Sequence, residues 1–143
     1  MACASFALGR KTVATLDRGS DLLFEIERLA RENDIDFCEV SGIGSLDQAR
    51  VTYYDQVAQE DREMTFERPM MLITLAGTVL RQGAVIQAHG HVVLGDASGA
   101  AFGGDISPGC LVFSCELILT ELLGSPVSRR QDDATGLARL CFE

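Results

Sequence analysis

The sequence predicts an α+β domain: a mainly antiparallel sheet with one long helix packed against a face. Two observations carry this. A single segment, residues 20–33, shows apolar residues at helical spacing. Nearly everything else is β-branched or leucine-rich runs joined by short connections, which favour antiparallel hairpins over parallel crossovers. The 143 residues are 47% hydrophobic and 23% charged with only 3 Pro, enough apolar material for one core, so residues 1–143 are expected to form a single domain.

In chain order, Cys3 to Leu8 reads as a first strand ended by Gly9-Arg10. Ser20 is a suitable N-cap for the helix. Leu22, Leu23, Ile26, Leu29 and Ala30 form its apolar stripe, Glu27 and Arg31 are spaced for an i,i+4 pair, and Asn33-Asp34 stops it. Phe37 to Val40 is a short strand running into a glycine turn, Ser41-Gly42-Ile43-Gly44-Ser45. Arg50 to Tyr54, Met70 to Leu80, Ala84 to Leu94 and Cys110 to Leu122 follow as strands, with turns at Arg81-Gln82-Gly83 and Gly95 to Gly99. Arg129 to Thr135 reads as a polar surface loop and Leu137 to Phe142 as a closing strand.

Charge and cysteine usage narrow the function. Lys and Arg number 12 against 21 Asp and Glu, a net charge of −9, and a field of that sign repels phosphate backbones. The five cysteines form no CxxC pair. No basic, apolar leader opens the chain, and no apolar run nears the roughly 18 residues of a membrane span. Reduced thiols and a cytoplasmic location are the expectation. Gly42-Ile43-Gly44 lacks the third glycine of a dinucleotide fingerprint, since Asp47 stands there. Ser107 lacks the glycine two residues before it that a nucleophile elbow requires, since Asp105 stands there.

The concentrated chemical signal is His89-Gly90-His91, which contains both histidines of the chain. Strand alternation turns Ile86, Ala88, Gly90, Val92 and Leu94 to one face and Gln87, His89 and His91 to the other. Two imidazoles on one face can reach a single metal ion, and Asp105, behind Gly103-Gly104, is the candidate third ligand. Zinc is the preferred ion, and a carboxylate ligand leaves manganese open. The plainer alternative is that both histidines occupy the wet face of an amphipathic strand. Cys110 and Cys115 differ in parity and read as core-filling thiols.

These segments together resemble the plants and prokaryotes conserved (PPC) domain family. His89-Gly90-His91, Gly103-Gly104-Asp105, Pro108-Gly109-Cys110 and Cys115-Glu116-Leu117 are similar to its signature half. Ser41 to Leu46 is similar to its early glycine turn, and Met70 to Gly77 to its central strand. The resemblance, which covers nearly the whole chain, implies an α+β homotrimer with the His-x-His pair near a subunit boundary. Members often carry Gly-Gly-His where this chain has Gly103-Gly104-Asp105, and prokaryotic members can hold zinc with three histidines. Plant members bind DNA largely through an appended AT-hook, which this chain lacks. The resemblance thus brings a DNA-binding label by analogy that the charge opposes.

Two function classes stay open. One is a homotrimeric interaction module with a metal site, binding a protein partner or small molecule. The other is a metal-dependent enzyme on a small carbonyl or carboxylate substrate, with the ion as Lewis acid and Glu116 as the acid/base. A fluorescence titration at physiological salt should find duplex DNA bound no better than weakly; submicromolar binding would contradict the charge argument.

Overall fold

Asp21, not Ser20, starts the helix. The computed structural model describes residues 1–143, and in it one Asp21 carboxylate oxygen accepts from the backbone N–H of Leu23 and Phe24 at 3.1 and 3.3 Å. The other accepts from Gly109 N at 2.6 Å. Ser20 is committed elsewhere: its hydroxyl donates to Asp17 O and its carbonyl accepts from Val112 N. The helix α1 (Leu22–Glu32) buries Leu22, Ile26 and Ala30, as its stripe requires. The expected Glu27–Arg31 pair does not form. Arg28 takes both Glu25 and Glu32, and the Glu27 carboxylate instead accepts from Ala88 N at 3.1 Å. That bond ties the helix to the strand carrying the histidines.

The strands are β1 (Ala7–Leu16), β2 (Phe37–Asp55), β3 (Glu60–Phe66), β4 (Met70–Gln82), β5 (Val85–Gly95), β6 (Ala101–Ile106), β7 (Leu111–Leu123), β8 (Val127–Asp132) and β9 (Leu137–Phe142). All pairings between them are antiparallel, so the α+β expectation holds. The main sheet runs β1-β7-β2-β4-β5-β6, with β3 also on β2 and β6 returning to pair with the far end of β2. No helix is long and apolar enough to cross a membrane.

Four boundaries differ from the sequence reading. The first strand begins at Ala7 and continues through Gly9-Arg10, where its register with β7 shifts. The proposed glycine turn at Ser41 to Ser45 is instead the interior of β2. A Cβ on Gly44, whose φ is +153°, would lie 2.3 Å from Ser114 O, so the glycine marks a bulge and a close strand approach. Strand β3 went unrecognised because, apart from Phe66, it is exposed and carries no apolar alternation. Arg129 to Thr135 is not a loop: β8 runs to Asp132 and forms a separate two-stranded sheet with β9.

Replacing Asp21 by Ala should cost about 1–2 kcal/mol of stability, the usual worth of a cap. Urea denaturation checks this; a change below about 0.5 kcal/mol would mean the cap contributes little.

Candidate metal centre

Strand β5 places the histidines by simple alternation. Ile86, Val92 and Leu94 are buried while Gln87, His89 and His91 are exposed, the parity read from the sequence. Strand β6 lies antiparallel beside it with Asp105 directly opposite His91. On the other edge Gly77 of β4 faces Gly90, and a Cβ on Gly77 would lie 2.2 Å from His89 O. Only glycine permits that approach. A Cβ on Gly104 would similarly meet Thr52 O at 2.7 Å, so this glycine seats β6, and with it Asp105, against β2.

The three predicted residues therefore meet. Their candidate ligand atoms all lie within 4.8 Å of one another, and the two imidazole centroids are 5.5 Å apart. His91 Nε2 approaches Asp105 Oδ1 to 2.8 Å, yet that oxygen is covered from solvent and no hydrogen-bond donor is aligned on it. Around a zinc ion with bonds near 2.0–2.1 Å, neighbouring ligand atoms sit about 3 Å apart. A buried, unbonded carboxylate oxygen beside an imidazole nitrogen fits that donor set. Partial burial lowers the His89 pKa from the ordinary 6.5; Asp105 opposes this, while Arg129 and His91 add to it.

The surroundings come from a segment read as loop. The β8–β9 hairpin lies against the sheet, and Arg129 fixes it there. Its backbone N–H donates to Gln82 Oε1 at 3.0 Å, Nη2 to Thr78 Oγ1 at 2.8 Å and Nη1 to Ala138 O at 3.4 Å. The Tyr54 hydroxyl donates to Thr135 O at 2.8 Å, holding the hairpin tip. Between hairpin and sheet lies a crevice of about 380 Å³ reached by His89, Asp105 and Arg129. A second, of about 280 Å³, is bordered by His89, His91 and Arg129. Arg129 was missed because nothing local in Ser128-Arg129-Arg130 distinguishes it; the one available signal was the closing strand, which needs a partner.

Glu116 does not join the site. It is exposed on β7, separated from β5 by β2 and β4, and borders neither crevice. The core-thiol reading of Cys110 and Cys115 holds, but their opposite parity does not separate them: Cys110 precedes β7, the register of β7 on β2 shifts between them, and both enter one core with Cys38. Burial raises all three pKa values, and that of Cys38 reaches about 11.

Fold and site together define a class, a small antiparallel α+β domain with an outward-facing His-x-His pair and a carboxylate in register. Residues 4–123 match the family model of the Plants and Prokaryotes Conserved (PCC) domain, and the chain belongs to that family. It is 33% identical over 127 residues to a bifunctional protein GlmU of Synechococcus sp. (strain JA-3-3Ab), covering 87% of this chain but 19% of that protein. A metal-containing protein from Archaeoglobus fulgidus superposes with a TM-score of 0.91 at 31% identity, over 99% of both chains. A plant- and prokaryote-conserved protein of Pyrococcus horikoshii superposes with a TM-score of 0.87 at 28% identity, over 97% of both.

A depressed His89 pKa keeps its imidazole neutral, and so able to ligate, to lower pH than an ordinary histidine. In metal-free protein, NMR titration should give His89 a midpoint below 6.5, and Asp105→Asn should lower it further by removing the opposing charge. A midpoint at or above 6.5 would contradict the burial argument.

Proposed function

We propose that this protein is a homotrimeric interaction module built around a metal site, in which His89, His91 and Asp105 hold one divalent cation, with zinc preferred. The observation that carries this reading is the convergence of the three residues, whose ligand atoms lie within 4.8 Å of one another, with Asp105 Oδ1 covered from solvent and 2.8 Å from His91 Nε2. An ion would draw on both imidazoles and that covered carboxylate oxygen together. The metal-containing Archaeoglobus fulgidus relative supports it at 31% identity. Three protein ligands leave positions for water or a bound molecule. For the trimer, the support is the family resemblance together with an exposed apolar patch. Val13 and Ile118 face each other across β1 and β7, and Ile43 follows on β2. The net charge of −9 argues against DNA as a direct partner.

A second reading, a metal-dependent enzyme on a small carbonyl or carboxylate substrate, is favoured by one observation: the crevice reached by both the ligand set and Arg129. A bound divalent ion would supply Lewis acidity there; Arg129 would bind and orient an anionic group, and the hairpin would limit water.

Size-exclusion chromatography with light scattering and elemental analysis of the eluted peak tests the proposal. The expected result is one zinc per chain in a species of three times 15.4 kDa, and a metal-free trimer for the His89→Ala, His91→Ala double variant. Equal metal content in wild type and variant after identical purification would overturn the site, and a 15.4 kDa species at micromolar concentration would overturn the trimer.

A further inference from the structure

Arg129 stands apart among the cations of this chain. Of the 12 Lys and Arg residues, eight are in ion pairs: Arg10, Arg18, Arg28, Arg50, Arg62, Arg68, Arg81 and Arg139. Lys11, Arg31 and Arg130 are exposed and solvated. Arg129 is neither. It is partly buried with its Nε covered and without an acceptor, and no carboxylate lies within the 4.0 Å of an ion pair. Burial lowers its pKa, and no acidic group opposes that effect.

A partly buried cation without an acidic partner, facing a crevice, is favourably completed by an anion. In a chain of charge −9 an acidic partner is easy to supply, yet the neighbours holding this guanidinium are neutral: Thr78 Oγ1 and Ala138 O. These fix its plane while occupying two of its five N–H donors. It is also the only Lys or Arg bordering either crevice beside His89.

We infer that the crevice beneath β8 and β9 binds a small carboxylate that carries a second oxygen, the carboxylate on Arg129 and the second oxygen directed to the ion held by His89, His91 and Asp105. This rests on the metal reading above and names the ligand class of that site. A planar guanidinium fork matches a carboxylate. Asp61 and Asp105 also border the crevice, which favours a monoanion over a phosphate dianion. A space of about 380 Å³ suits a small molecule. Arg129 lies beyond residues 4–123 of the family match, so the crevice joins residues of the family segment to one cation from the hairpin.

Isothermal titration of zinc-loaded protein with lactate, lactamide, propionate and inorganic phosphate tests the inference. Lactate should bind at least about tenfold more tightly than lactamide, which lacks the charge, and than propionate, which lacks the second oxygen. Arg129→Gln should weaken lactate by a similar factor while keeping its zinc, and Arg129→Lys should recover part of the loss. No lactate binding at millimolar concentration, equal binding of lactate and lactamide, or unchanged binding in Arg129→Gln would overturn it. So would phosphate binding tighter than lactate. If Arg129→Gln detaches the hairpin, the wild-type comparison of lactate with lactamide decides alone. Failure to take up zinc removes the metal reading and this inference with it; failure of lactate on zinc-loaded protein removes only this inference.

Discussion

Strand β2 has neighbours on both edges along most of its 19 residues, and the rest of the molecule is arranged around satisfying its backbone. Its first half pairs with β4 and β7, its second half with β3 and β6. Because β6 also pairs with β5, and β5 with β4, the path returns to its starting strand. A sheet that closes on itself this way must curl. The curl needs a residue without a side chain where β7 crosses closest, and Gly44 provides it. Most of the buried side chains lie inside the curl or beneath α1, and the histidine face of β5 is left outward by parity alone.

That arrangement explains how three ligand-type side chains can gather without a loop dedicated to them. His89 and His91 are two residues apart on one strand, and Asp105 is fixed opposite His91 by antiparallel register. A one-residue slip of β6 would turn Asp105 to the other face. Two contacts guard against it: Gly104 packed on Thr52 O and the short pairing of Val51 and Thr52 with Ile106 and Asp105. The hydrogen bond from Ala88 N to Glu27 anchors the same strand to the helix just before His89. Rigid strands, rather than mobile connections, thus set the spacing of the donors.

The legible parts of the sequence were those where one physical signal dominates. The helix showed its stripe, and β5 showed its alternation, which correctly sent both histidines outward. Asp105 was reachable because a hairpin partner of β5 had to follow the Gly95 to Gly99 turn. The misread parts were those where local chemistry has two uses. Gly42-Ile43-Gly44 has the composition of a turn but serves as a bulge, since only the strand packed over it reveals the crowding. Ser20 and Asp21 are both good caps; the backbone bond from Val112 N to Ser20 O selects the second. Arg129 had only the closing strand's need of a partner to mark it, because its surroundings depend on Thr78, 51 residues away.

The division between the family segment and the hairpin bears on how such a domain acquires a particular role. The residues matching the family end at 123, and within them lie the curl, the helix and His89, His91 and Asp105. The hairpin adds Arg129, the one Lys or Arg bordering the crevice, together with a wall of that crevice and the Tyr54 hydrogen bond at its tip. Homologous sequence also occurs within much longer proteins, of which this chain covers 19% or 18%, so the same frame is used in different settings. A change in the hairpin can alter what lies over the donors without disturbing the strands that hold them, because β8 and β9 form a sheet of their own. The strands fix His89, His91 and Asp105 by register, and the hairpin, a sheet of its own, bounds the space beside them, so it can vary without moving those three side chains.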